Sequence, residues 1–381
     1  MERLRATVVS AYPFHMIEQA RGLHDLGMLE RLVTAVPGSR VQLPAGKVRS
    51  RLPYSGLRRV VGRRLPRLDP TLARLVVGDF DRWASVRLGR PSVVNALSGF
   101  ATGTLMRASA DGVAVCCDRG SWHITEQRRV LDEEAERVGA PRVHFDLFMV
   151  DRELQEYELV DRILVPSERA RRTFLDRGLS AEKVVTVPYG VDIHQFAMPT
   201  VPRQSGAIVS VGTVGMRKGH HYLVDAFRSL STLGASLTLV GPVDPGWDLR
   251  LGLSRGDVHS LGAVSRRRVI EEMQRASVFA LASLEEGLAL VLAQAMACGL
   301  PVVATDSTGA RELVDDGVEG LIVAPGESDA LAEALDTLLS DPDRARAMGD
   351  AGRRRVEGFG GWDRYGCQVA EVLTSLAQER G

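Results

Sequence analysis

Two Rossmann-like α/β domains facing one another across a cleft are predicted from three observations. Short apolar runs bounded by Gly, Pro or Asp alternate with longer amphipathic stretches, the pattern of βα units around a parallel sheet. The alternation stops in the Pro- and Gly-rich stretch VPYGVDIHQFAMPTVPRQSG (187–206) and then restarts, as a linker between two such series would require. At 381 residues, the chain also exceeds the size at which a single core keeps growing.

In the first series, ATVVSAY (6–12), LVTAVP (32–37), AVCCD (114–118) and RILVPS (162–167) read as strands. HMIEQARGLHDLG (15–27) and the charged ITEQRRVLDEEAERVG (124–139) read as helices, each ending at a glycine suited to a C-cap. The second series has strands at AIVSVG (207–212), SLTLVG (236–241), VFALAS (278–283) and LPVVATD (300–306), with helices at HHYLVDAFRSL, SRRRVIEEMQRA and LALVLAQAMAC. Ligands of such sheets bind beyond the carboxyl ends of the strands, so the loops after these strands are where chemistry is expected.

Composition narrows the class. With 45% hydrophobic and 25% charged residues the chain is an ordinary globular protein, and its formal net charge of zero argues against nucleic acid as a partner. Lys47, Lys183 and Lys218 are its only lysines among 48 basic residues, which makes each worth inspecting. Cys116, Cys117, Cys298 and Cys367 show no paired spacing, as expected of reduced thiols in a cytoplasmic protein. The opening MERLRATVVSAYPF has too short an apolar run for a signal peptide, and nowhere are there 18 consecutive apolar residues to span a membrane. One local imbalance stands out: from Arg40 to Leu68 there are nine basic residues and no acidic one. A solvated surface, or a dock for an anionic membrane or an acidic acceptor, would each account for it.

Two loops carry the candidate chemistry. VGTVGMRKG (211–219) follows the first strand of the second series and leads into an amphipathic helix, so its amides and the positive helix end favour an anion. Arg217 and Lys218 add the two cations a diphosphate calls for. The spacing is neither GxGxxG nor a P-loop, which disfavours a nicotinamide-dependent oxidoreductase and a P-loop NTPase. By itself, an RKG run reads as readily as ordinary surface cations. The second loop, SLEEG (283–287), precedes an apolar helix expected to start at Gly287 and run to Cys298. A carboxylate there can serve the helix dipole alone, and Glu285 is given that local role. Glu286 is the expected acceptor of ligand hydroxyls beside the phosphate site, and Gln294 lies eight residues on, toward the same side of the helix.

VGTVGMRKGHHYLVDAF, followed by LEEGLALVLAQAMACGLPVVATDSTGARELVDDGVEGLIV, resembles the nucleotide-binding half of the retaining glycosyltransferases of family four, the glycogen-synthase-like superfamily with the GT-B fold. ELQEYELVDRILVPSERARRTFLDRGLSAEKVVTVPYGVDIHQF (153–196) is similar to the end of the family's first domain and its hinge, and DPDRARAMGDAGRRRV (341–356) to its closing region. GWDRYGCQVAEVL resembles the last helix, which crosses back to the first domain. The resemblance implies an acceptor-binding domain over residues 1–190, a nucleotide-sugar domain over 191–360 and the crossing helix over 361–381.

Carried over residue by residue, the resemblance implies that Arg217 and Lys218 hold the donor diphosphate and stabilise charge on the departing nucleotide. It implies that Glu286 accepts from hydroxyls of the transferred sugar, with the amides of Gly287, Leu288, Ala289 and Leu290 around sugar and phosphate. The stretch from Leu261 to Val264, with Gly262, would face the base, and Gly212 and Thr213 would line the same donor site. His123, in DRGSWHITEQ, stands where the family often carries a histidine near sugar and acceptor.

Two positions depart from the family pattern. Thr213 replaces a common arginine, and Gln294 replaces the second glutamate of E-x7-E, which usually grips the ribose hydroxyls. An amide still holds a ribose, with weaker charge assistance, so a deoxythymidine diphosphate donor is admitted. No Asp-x-Asp motif lies in a suitable loop, and DPD (341–343) reads as a helix cap, so no metal is expected. The resulting expectation is a cytoplasmic enzyme, with peripheral contact at the inner membrane face through 40–68 left open, that moves a hexosyl group with retention from a nucleoside diphosphate sugar to an unidentified acceptor, with no further cofactor. A non-catalytic glycosyltransferase-like subunit is the alternative from a different class.

Overall fold

The computed structural model of the chain describes residues 4–51, 69–143 and 145–380. It contains two fully parallel sheets. The first comprises β1 (Ala6–Ser10), β2 (Leu29–Thr34), β3 (Val48–Ser50), β4 (Val93–Leu97), β5 (Ala114–Asp118), β6 (Arg162–Val165) and β7 (Val184–Thr186), in the order β3-β2-β1-β4-β5-β6-β7. The second comprises β8 (Ala207–Val211), β9 (Ser236–Val240), β10 (Val258–Ser260), β11 (Val278–Leu281), β12 (Val302–Thr305) and β13 (Gly320–Val323), in the order β10-β9-β8-β11-β12-β13. β1, β5, β11 and β12 are buried at every position, which explains why they read as unbroken apolar runs: helices cover both faces.

The first sheet is flanked by α1 (His15–Asp25), α2 (Asp69–Ser85), α3 (Thr102–Ala110), α4 (Ile124–Arg137), α5 (Leu147–Leu159) and α6 (Glu168–Leu175). The second carries α7 (His220–Arg228), α8 (Trp247–Arg250), α9 (Arg266–Arg275), α10 (Leu290–Ala297), α11 (Ser328–Ser340) and α12 (Pro342–Phe359). The last helix, α13 (Trp362–Arg380), crosses back as the sequence suggested and lies on α1. Gly22 and Gly366 make that crossing, so close that a Cβ added to Gly22 would sit 2.7 Å from the Gly366 Cα. Val369, Leu373 and Leu376 fill the same apolar cluster as Met16, Ala20 and Leu23. Beside them the Tyr365 hydroxyl donates to Asp118 across 3.3 Å.

Five strands were not foreseen: β3, β4, β7, β10 and β13. Three of them are only three residues long, too short to show a period, while β4 is interrupted by buried Asn95, whose amide donates to Gln19 Oε1 at 3.0 Å. β13 opens on a glycine because a Cβ at Gly320 would fall 2.2 Å from Val302 O on the neighbouring strand. The helix expected from Gly287 starts three residues later, at Leu290. Its anticipated first turn is held as a loop against the end of β12, since the amides of Glu286 and Ala289 donate to Ser307 O and Thr308 O, both at 3.0 Å.

Within the basic segment 40–68, residues 52–68 with Arg58, Arg59, Arg63, Arg64 and Arg67 lie outside the described residues. Of the others, Lys47 donates to Leu29 O at 2.6 Å, Arg49 to Val48 O at 3.0 Å, and Arg51 pairs with Asp79 at 3.1 Å. Among the described residues, no helix is long and apolar enough to cross a membrane.

Candidate active site

In the second sheet the strand order reverses between β8 and β11, and the two loops singled out in the sequence leave these two strands side by side. A crevice at such a switch point, outside the carboxyl ends of the strands, is where open α/β sheets bind ligands. Gly219 makes the approach feasible: it has φ +63°, and a Cβ there would fall 1.9 Å from Ala282 O, at the exit of β11. The Leu284 amide then donates to Arg217 O at 2.9 Å and ties the two loops together.

This junction brings three of the expected residues into contact. Arg217 Nη2 lies 3.3 Å from one oxygen of Glu286, and Lys218 Nζ bonds the other, to which Ser283 Oγ also donates at 3.1 Å. Lys218 runs across Gly212, whose built Cβ would meet Lys218 Cε at 3.2 Å. Arg217 retains 40% of its side-chain exposure, enough to meet a ligand in the cleft. Thr213, two residues after β8, is exposed, and Gly262 and Val264 follow β10 on the same edge of the sheet. Of the amides after Glu286, that of Ala289 is taken by Thr308 O, whereas those of Leu288 and Leu290 have no backbone acceptor among the described residues. Gln294 lies in α10, half-buried, with no side-chain hydrogen bond among the described residues.

His123 comes from the opposite domain, after β5, and does not touch that cluster. It is the N-cap of α4: its Nδ1 lies 2.8 Å from Thr125 Oγ1 and accepts from the Thr125 amide at 3.3 Å. Its ring packs against Tyr157 and Phe174, each with centroids 5.0 Å away. Burial, and then the positive charges of Arg177 and Arg119, push its pKa down to about 4, so the imidazole is neutral at neutral pH. His220, at the start of α7, is likewise pushed down to about 4 by burial.

Glu285 corrects the sequence reading. It caps no helix, because α10 begins five residues later with Ala289 at an N-cap that makes no side-chain bond. Instead its fully buried carboxylate spans the cleft. One oxygen takes the Ser121 hydroxyl and, at 3.4 Å, the Trp122 amide. The other takes Gln127 Nε2 at 2.8 Å and Arg217 Nε at 2.9 Å. Burial alone would raise its pKa, but the Arg217 charge and the donors from Ser121, Arg217 and Gln127 hold it below the ordinary carboxylate value. Gln127 in turn accepts from Arg119 at 2.7 Å, and Arg119 pairs with Glu153 at 3.1 Å. Charges thus alternate from Glu153 through Arg119, Glu285, Arg217 and Glu286 to Lys218, passing from one domain into the other. Among the described residues no group of three or more His, Cys, Asp or Glu is placed to hold a metal.

The arrangement presents two cations, a carboxylate and free amides to an anionic, hydroxyl-bearing ligand. Comparison with known proteins agrees in kind. The family model described as Glycosyltransferase Family 4 matches residues 14–195, and that described as Glycosyl transferases group 1 matches residues 195–355. A D-inositol 3-phosphate glycosyltransferase of Kineococcus radiotolerans is 33% identical over 263 residues, covering 60% of each chain. A GDP-mannose-dependent monoacylated alpha-(1-6)-phosphatidylinositol monomannoside mannosyltransferase of Corynebacterium glutamicum is 30% identical over 57% of this chain and 62% of its own. The matched stretches therefore span less than two thirds of these relatives' length. In fold, the chain is similar to sucrose-phosphate synthase from Thermosynechococcus elongatus, with a TM-score of 0.73 at 20% identity over 99% of this chain and 100% of that one. It is also similar to Anabaena HepE in complex with UDP, with a TM-score of 0.68 at 20% identity over 98% and 100%.

Proposed function

Because the chain belongs to the family-four glycosyltransferases, we propose that it transfers a hexosyl group from a nucleoside diphosphate sugar to an acceptor held by the first domain, with retention and without a metal. The observation that carries this reading is the contact of Arg217 and Lys218 with Glu286 at the β8/β11 switch point. A diphosphate takes over the two cations, and Glu286, released from them, accepts from hydroxyls of the sugar. As the bond from the anomeric carbon to the β-phosphate oxygen breaks, the acceptor oxygen bonds to that carbon on the same face. The acceptor proton passes to the departing phosphate oxygen, so no base from the protein is required. Positive charge from Arg217, Lys218 and the amides around Leu288 stabilises the leaving diphosphate in the role a metal fills elsewhere. Neutral His123 faces this step as a hydrogen-bond partner of sugar or acceptor rather than as a cation.

The similar proteins include a GDP-mannose-dependent mannosyltransferase and a protein in complex with UDP. The donor is identified with a thermal-shift panel of UDP, GDP, ADP and dTDP sugars, since a ligand stabilises in proportion to its affinity. With Gln294 in place of the ribose-gripping glutamate, deoxyribose and ribose donors of the same base and sugar are expected within about tenfold of one another. Release of nucleoside diphosphate in the presence of EDTA tests the enzyme reading: no release from any donor in the panel assigns the chain to a non-catalytic subunit. If the acceptor is a lipid, the segment 40–68 contacts the anionic inner face of the cytoplasmic membrane, and salt-sensitive flotation with anionic vesicles reads this out.

A further inference from the structure

Resting on the reading that this cleft binds a nucleoside diphosphate sugar, we propose that Glu285 is a positioning residue. It clamps Arg217 of the donor site to Ser121 and Gln127 of the first domain, so that domain closure and presentation of the phosphate-binding cation are one event.

Each Glu285 oxygen receives two donors, and three of the four come from the first domain: Ser121, Trp122 and Gln127. The fourth, Arg217, comes from the second domain. Gln127 is oriented for this task, because its carbonyl oxygen is taken by Arg119 at 2.7 Å and its NH2 group is left to face Glu285. On the other side, Arg217 is held along one edge only. Nε bonds Glu285 and Nη2 bonds Glu286, while Nη1 has no hydrogen-bond partner among the described residues. The fixed edge sets the plane of the guanidinium and leaves Nη1 unengaged on a side chain that keeps 40% of its exposure.

When the domains separate, Ser121, Trp122 and Gln127 leave with the first domain, and the carboxylate keeps Arg217 alone. A solvated Arg217–Glu285 pair is weak, so in the open form the guanidinium is held mainly through Nη2 at Glu286 and its plane is no longer fixed. Closing the domains buries the carboxylate completely and completes its four bonds. A buried carboxylate is a poor way merely to stick two surfaces together, since an apolar contact of the same volume does as well without the desolvation cost. What it supplies here is orientation of a cation that belongs to the other side of the bond network.

The test uses the full chain with Glu285→Gln, Gln127→Leu and the double variant. Three quantities are read: thermal midpoint, steady-state kinetics with the donor that gives the largest shift, and radius of gyration by solution scattering. Glu285→Gln keeps the shape and removes a negative charge beside Arg217, so donor affinity in the open form is retained. We expect kcat to fall about 10²-fold with donor KM within about threefold, the pattern of a misplaced group rather than of lost binding. Gln127→Leu, on the far side of the cleft, should reproduce the split, and the double variant should be no slower than the slower single one. Both variants should scatter as larger particles than a closed wild type of about 21 Å. Wild-type kcat and wild-type scattering for Glu285→Gln overturn the proposal, as does a loss of rate that follows loss of folded protein at the assay temperature. A wild type that binds no nucleotide sugar overturns the proposed function instead, and the scattering comparison still decides whether the clamp exists.

Discussion

A single methyl group placed at Gly287 should separate catalysis from donor binding. The backbone there does not have a positive φ, so alanine is unstrained locally. Its Cβ would lie 2.2 Å from Gly120 O, 2.7 Å from Gly120 C and 2.9 Å from Pro166 Cγ. All three obstacles belong to the first domain, and none is the far end of a flexible side chain. Ordinary contact begins near 3.4 Å, so the variant holds the domains apart by about 1 Å. A displacement of that size across a reacting centre costs about 10²-fold in rate, or about 2.7 kcal/mol. Gly287→Ala should therefore lower kcat about 100-fold while the nucleoside diphosphate dissociation constant, measured by calorimetry, stays within about threefold. Gly358→Ala is the control: it lies in α12 with nothing within 4 Å of its built Cβ, and should leave kcat alone while raising stability by up to about 1 kcal/mol. If Gly287→Ala turns over within threefold of the wild type, the closed arrangement of Gly120 against Gly287 is not the catalytic one.

Lys218→Met should lower kcat by about 10²–10³ with an unchanged thermal midpoint, as measured by diphosphate release, because a cation facing developing charge is lost from a site already folded around Gly212. Gln294→Glu should tighten ribose donors about tenfold relative to their deoxyribose counterparts, which competition titration reads directly. Acid should destabilise the protein through His123 and His220. Both have folded-state pKa values depressed to about 4, so their contribution is present above the unfolded value near 6.5 and is lost as pH falls toward 4. At pH 5 the loss is about 2 kcal/mol for buried His220, and denaturant titrations at pH 7 and pH 5 of His220→Gln should show that part of the decline removed.

The donor loops were legible in the sequence because their chemistry is local. Arg217 and Lys218 are adjacent, Glu286 precedes a glycine and an apolar helix, and both loops follow runs too apolar to be anything but inner strands. Their meeting then follows from the strand order at the switch point. Glu285 was misread because its partners Ser121 and Gln127 lie 164 and 158 residues away, beyond any periodicity or cap rule. The start of α10 was misplaced for a related reason: carbonyls at Ser307 and Thr308 take amides that would otherwise open the helix. His123 was found through the family resemblance and its place after a strand, yet its neutral state comes first from burial against Tyr157 and Phe174 and then from Arg177 and Arg119, of which only Arg119 is near it in sequence.

The Gly22–Gly366 crossing has a consequence for how the protein is made. α1 leaves the ribosome well before α13, the surface that covers it, because more than 300 residues separate the two helices in the chain. At bacterial and eukaryotic elongation rates, roughly 10 to 40 s separate the completion of β7 from the arrival of α13. During that interval α1 packs on β1 and β2, but the side of Met16, Ala20 and Leu23 that α13 will take stays open. The order of translation therefore leaves this apolar face of the first domain exposed, and prone to association, until the second domain has been made.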